Sequence, residues 1–219
     1  MLVNQAGFGA IHYTLDGSEP DLRAKLYTAP ITLTLGTSIK ATAFGDDGLP
    51  LAAVRSYEFS AGTLLTSSSN QLEACPGDSL RLRLPLTPDS PATAPVYDVD
   101  LLQSCYIYPK APLSGVAALG FDIARLARNF GLANRKNQLK SYTARTRFGE
   151  LVVYQDRCEG GPELTRVALP DPATSEARQR VEPAIVPSDG EHDLCLMFTA
   201  PVNGPLYAID AVRLVRGAR

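Results

Sequence analysis

Short alternating runs of apolar and polar residues, broken by turn signals, recur along the whole chain. Ile11, Tyr13 and Leu15 alternate with His12 and Thr14, the period-2 pattern of a half-buried strand. Asp16-Gly17 follows as a turn and Pro20 bars continuation into a sheet interior. The pattern predicts strands over Leu2–Asn4, Ala10–Leu15, Ile31–Leu33, Ser38–Ala43 and Val54–Phe59, with turns at Leu35-Gly36 and Gly45–Gly48. Short strands at spacings of about 8–12 residues argue for an all-β sandwich.

A polar Ser run closes the stretch from Gly62, and residues 62–69 read as a linker between a domain at 1–61 and a second at 70–219. From Gln71 the pattern is again β. Leu80–Leu84 alternates strictly, as do Tyr97, Val99 and Leu101, and a strand begins at Tyr106–Tyr108. Val116–Phe130 reads as a strand leading into an irregular or helical turn, because its neighbours are all β. Pro85–Pro95, Asn134–Tyr142 and Pro170–Pro183 read as loops. Glu150–Gln155 and Glu163–Leu169 form a hairpin, and His192–Phe198 and Leu206–Val215 are the closing strands.

Two resemblances attach to these patterns. Y-T-L-D-G-S-E-P at 13–20, then Leu26–Ile31 and Ser38–Phe44, closely resembles the small C-terminal domain of bacterial chitobiases and β-hexosaminidases. G-E-H-D-L from Gly190 and the later G-x-x-x-x-x-D-x-x strand holding Asp210 look like the end of a family 6-type carbohydrate-binding module. Gly149–Tyr154 is similar to the G-x-I-E-V-R strand of that family, and Gln71-Leu72-Glu73 to its acidic first strand. Together they imply an all-β chain: a small immunoglobulin-like β-sandwich, then a jelly-roll-like β-sandwich. They further imply the non-catalytic C-terminal region of an exported family 20 β-N-acetylhexosaminidase, periplasmic or secreted. The abrupt start inside an early strand carries the expectation of a longer protein, whose catalytic domain would be this region's partner.

The resemblance also names chemistry. Carbohydrate sites stack an aromatic ring on a pyranose and fix its hydroxyls with polar side chains. The chain has no Trp, so Tyr106, Tyr108, Tyr142 and Tyr207 are the candidate platforms, with Asn203, Asn134 and Asn137 as polar partners for an N-acetylglucosamine-containing glycan. If they bind, an exposed Tyr should lie on a concave face beside Asn or Arg. If the domains are purely structural, the Tyr rings should be buried. The related modules hold a structural Ca²⁺, which carries over to Gln71, Glu73 and Asp210 as oxygen ligands on adjacent strands. No other cofactor is called for.

Catalysis has little in the sequence to rest on. The hexosaminidase Asp-Glu dipeptide, G-x-S-x-G and H-E-x-x-H do not occur. A net charge of −2 gives no basic footprint for nucleic acid, and Arg135, Lys136, Lys140, Arg145 and Arg147 read as solvated loop charges. No apolar run approaches membrane-spanning length. The 4 Cys, at 75, 105, 158 and 195, form no C-x-x-C pair and have only His12 and His192 as partners, which gives a zinc site poor support; they permit two disulfides in three connectivities or buried free thiols. Export, which the resemblance implies, favours disulfides; proximity favours Cys75–Cys105 with Cys158–Cys195.

Overall fold

The computed structural model describes residues 2, 4, 7–34, 36–60, 65–127 and 138–217. It divides into two compact units, Met1–Leu64 and Leu65–Arg219. Both are built of strands, and the protein is all-β.

The first unit holds β1 (Ala10–Thr14), β2 (Lys25–Leu26), β3 (Thr37–Phe44) and β4 (Arg55–Phe59). They pair antiparallel in the order β2-β1-β3-β4. The turn after β1 forms as the chemistry requires. Gly17 takes φ 83°, and the Asp16 carboxylate accepts Ser18 N–H at 3.0 Å and Ser18 Oγ–H at 2.6 Å. Tyr13, Ile39 and Phe44 are among its buried apolar residues. Among the described residues this unit is one four-stranded sheet. The strand expected at Ile31–Leu33 is not formed; Pro30 lacks a ladder N–H, and the chain runs past as irregular backbone. Val3, Leu35, residues 62–64 and residues 128–130, where a strand, a turn, part of the linker and the end of the irregular or helical turn were expected, lie outside the described residues.

The second unit is a sandwich. One sheet has the order β13-β10-β15-β5, using β5 (Thr66–Ser68), β10 (Val116–Leu126), β13 (Arg178–Val181) and β15 (Leu206–Arg216). The other runs β12-β11-β14-β9-β6, using β6 (Glu73–Ala74), β9 (Cys105–Pro112), β11 (Glu150–Gln155), β12 (Glu163–Ala168) and β14 (Glu191–Phe198). Leu119, Phe121, Ile209 and Val212 of the first sheet meet Tyr106, Leu151, Leu194, Leu196 and Phe198 of the second in one core. A hairpin of β7 (Arg81–Pro85) and β8 (Val96–Asp100) covers part of the four-stranded sheet's other face. There Tyr97, Val99 and Leu101 pack on Ala124, Leu126, Leu206 and Ala208.

Two segments depart from the sequence reading. Thr66–Ser68, placed in a linker, pairs with Arg213–Ala211 as the edge strand β5. Arg178–Val181, placed in a Pro-rich loop, pairs with Ala124–Phe121 as the edge strand β13. Both are polar because an edge strand is half solvated, and charge there discourages pairing with another chain.

Glu150, at 1% exposure, is with Asp100 one of two buried carboxylates among the described residues of the sandwich. Its carboxylate accepts the N–H groups of Arg145 (3.0 Å) and Thr146 (2.5 Å), the Thr199 hydroxyl (2.6 Å) and Arg166 Nη1 (3.1 Å). Arg166 also forks onto Glu163 at 3.0 and 2.7 Å. Burial pushes the Glu150 carboxyl up, but hydrogen bonds from Thr199, Thr146 and Arg145 outweigh it and hold it below the ordinary range. Arg166 holds Glu163 low in the same way, against a smaller effect of burial. Carboxyls depressed in the folded state contribute stability that is complete above their unfolded pKa, about 4, and is lost as pH falls through the folded values. The thermal midpoint of the second unit is therefore expected to be flat from neutral pH to about 5 and to fall steeply below about 4. A melt series by circular dichroism across pH 2–7 checks this; a midpoint unchanged at pH 3 would contradict it.

Candidate functional site

Where the β7–β8 hairpin stops, the outer face of the four-stranded sheet is left open as a groove of about 390 Å³. Its lining comes from Tyr97 of β8, Asp122 and Ile123 of β10, Arg178, Gln179 and Arg180 of β13, Glu176 ahead of β13, and Asp210 of β15. Local sequence and register explain the two carboxylates of the sheet, Asp122 and Asp210. Phe121 and Ile123 point into the core, so Asp122 between them points out. On β15 the register steps from Ala211 opposite Asp122 to Ile209 opposite Ile123. Asp210 is thus the extra residue of a β-bulge, a device that re-aims a side chain.

Asp122 is clamped. Arg213 Nη1 and Nη2 donate to it at 2.5 and 3.2 Å, and Arg180 Nε at 2.8 Å. The Arg213 guanidinium holds its carboxyl below the ordinary range; burial opposes and Arg180 reinforces this. The floor of the groove is therefore a fixed carboxylate between two guanidinium groups. Around it stand further donors and acceptors: Arg178, Gln179, Glu176 and Asp210. Such an array suits neighbouring hydroxyls of a polyol, which need a donor and an acceptor each. Tyr97, the aromatic residue of the lining, is 2% exposed and presents no ring face.

The sequence-predicted platform residues lie elsewhere. Tyr106, Tyr108 and Tyr207 are buried in the sandwich core, and this corrects their assignment as sugar platforms. Their rings fall on the inward face of β9 and β15, and Phe198 stacks on Tyr207 at 5.3 Å. The Tyr106 hydroxyl donates to the carbonyls of Asp98 and Tyr207 at 3.1 and 3.2 Å; burial raises its pKa. Tyr142 is half-buried, and burial pushes its hydroxyl up to about 12. It borders a crevice of about 20 Å³ beside Pro201, Val202 and Pro205, room for one water and not for a sugar ring. Asn203 is exposed in the turn closed by Gly204 N–H on Pro201 C=O at 2.7 Å. Asn134, Asn137, Arg135 and Lys136 lie outside the described residues.

The calcium expectation required adjacent strands. Glu73 lies on β6, paired with Ile107 in the five-stranded sheet, whereas Asp210 lies on β15 in the other sheet. Gln71 Oε1 already accepts Ser68 N–H and Ser68 Oγ–H, both at 2.9 Å. The adjacent-strand clamp is therefore not formed. His192 and Asp156 lie 3.1 Å apart, but the Ser188 hydroxyl donates to Gln155 Oε1 at 3.0 Å, so the three make no nucleophile–base relay.

A family model described as Fn3 associated matches residues 2–54. No curated protein matches the chain. Among solved structures the chain is similar to family 6 carbohydrate-binding modules. One, dissected for its binding sub-sites, is 11% identical with a TM-score of 0.44, over 69% of this chain and 93% of that one. A module from Clostridium stercorarium, solved with cellobiose, is 10% identical with a TM-score of 0.42, over 69% and 93%. A module of lichenase 5A from Cellvibrio mixtus, solved with cellotriose, is 14% identical with a TM-score of 0.43, over 71% and 98%.

Proposed function

We propose that this chain is the non-catalytic accessory region of an exported glycan-processing hydrolase, and that its second unit holds glycan through the groove on the four-stranded sheet. The observation that carries the reading is the clamped Asp122 at the base of an open groove ringed by Arg178, Gln179, Glu176 and Asp210. The clamped Asp122 needs no reordering to meet a saccharide's hydroxyl. The resemblance of residues 8–60 to chitobiase C-terminal domains supports a β-N-acetylhexosaminidase as the parent, with the first unit buttressing its catalytic domain. Two disulfides, Cys75–Cys105 and Cys158–Cys195, fit an exported protein. Among the described residues no helix is long and apolar enough to cross a membrane.

Isothermal titration with chitooligosaccharides and cellooligosaccharides tests this. Saturable heat is expected, weakened about ten- to a hundredfold by Arg178→Ala or Asp210→Ala, the range for a hydrogen bond to a charged group. Absence of heat with every glycan would overturn it. A second reading, interaction units without glycan affinity, draws on the buried Tyr rings and on exposed apolar side chains of the first unit: Phe8, Leu22, Leu26, Leu49 and Tyr57.

A further inference from the structure

The five-stranded sheet carries a small second core on the face turned away from the sandwich. Tyr106 and Leu196 point into the main core; Cys105 and Ile107 of β9 and Cys195 and Met197 of β14 point the other way. Cys75 follows β6 and Cys158 follows β11, and both close onto this patch. Met197, Ile107, Tyr142 and Tyr154 complete an apolar collar around the four cysteines.

Cys75–Cys105 and Cys158–Cys195 are the bonded pairs, and the two disulfides touch. Sulfur–sulfur distances between them are 3.5 Å for Cys105 to Cys195, 3.6 Å for Cys75 to Cys158, 3.8 Å for Cys105 to Cys158 and 3.9 Å for Cys75 to Cys195. A tetrahedral zinc tetrathiolate with Zn–S bonds of about 2.3 Å has sulfur–sulfur edges of about 3.8 Å. Four of its six edges are thus already set in the oxidised fold, and only the two bonded edges must open. Among the described residues these four ligand atoms are the one group of three or more from His, Cys, Asp or Glu to be drawn together this closely.

We propose that in the reduced chain the four cysteines form a Cys₄ site for Zn²⁺, so that one point of the fold has two alternative locks. Cys105 and Cys195 sit on adjacent central strands and are held by the ladder. Cys75 and Cys158 sit beside strand ends in loops and supply the movement. Cys158 is half-buried and marks the route in for reductant and metal. A phosphine reductant with water, or a dithiol, delivers two electrons and two protons to each S–S bond and is itself oxidised. The resulting four thiols lose four protons as they bind Zn²⁺. The product carries two negative charges, and the Lys140 ammonium lies over the Tyr142 ring of the collar, 5.3 Å from its centroid. The inference stands apart from the groove and survives failure of the glycan reading.

The test uses the full chain, reduced with a phosphine without oxygen and titrated with Co²⁺. Expected are one Co²⁺ per chain, the visible absorption of tetrahedral cobalt and near-ultraviolet sulfur-to-cobalt charge transfer. Zn²⁺ should bleach both and protect all four thiols from a thiol-reactive dye. The charge-transfer band should be lost with the oxidised chain and sharply reduced in Cys105→Ser. If reduction alone unfolds the chain, Zn²⁺ should restore the β circular dichroism signal and raise the melting midpoint. Octahedral cobalt only, protection of two thiols only, or a reduced chain whose fold and melting are indifferent to Zn²⁺ would each overturn the proposal.

Discussion

Arg166→Met destabilises the second unit by about 3–5 kcal/mol, the usual cost of breaking a buried ion pair by removing one partner. The cost arises at Glu150 rather than at Arg166. The carboxylate is 1% exposed, and Arg166 is its only guanidinium partner among the described contacts. Met keeps the apolar stem of Arg166 but leaves a buried anion with hydrogen bonds and no countercharge. Glu163 loses its fork at the same time, though it is more exposed and contributes less. With Glu150→Gln as background the same substitution should cost markedly less, because no buried charge remains to be stranded. Urea unfolding followed by circular dichroism measures both; the chain has no Trp to report by fluorescence. Equal costs in both backgrounds would place the effect elsewhere.

Tyr106→Ala should cost about 3–5 kcal/mol, the range for removing a buried aromatic ring. The ring is 1% exposed and sits edge-on to Phe198 at 6.5 Å between centroids. Tyr106→Phe should cost about 1–3 kcal/mol, since it leaves the Asp98 and Tyr207 carbonyls without their donor. Glycan affinity of the folded Tyr106→Phe protein should be unchanged. A full loss of binding with no loss of stability would instead mark Tyr106 as a contact residue.

The misplacement of the tyrosines has a physical cause that period-2 reading does not resolve. Alternation on β9 sets Cys105 and Ile107 against Tyr106 and Tyr108, and both sets are apolar. Which set faces the main core depends on the second core that Cys105 builds outside the main sandwich core with three cysteines from three other places in the chain. The long strands β10, β14 and β15 were legible, because their inward positions are plainly apolar and their ends carry turn residues. β13 was not: Arg178-Gln179-Arg180 has the composition of a loop, and only pairing with β10 makes it a strand. The groove was hidden for the same reason. Asp122 is one carboxylate inside an apolar run, and the bulge at Asp210 exists only relative to the partner strand's register. The sulfur cluster was half visible, as an even count of cysteines without the contact between the two pairs.

The most direct test of the groove as the glycan site is a ¹⁵N-labelled amide titration of the chain with a chitooligosaccharide. Saturable shifts are expected at Asp122, Arg178, Gln179, Arg180, Asp210 and Tyr97 of β8, with the β9 amides of Tyr106 and Tyr108 unmoved. Shifts confined to Tyr142 and Asn203, or no shifts at any glycan concentration, would contradict it.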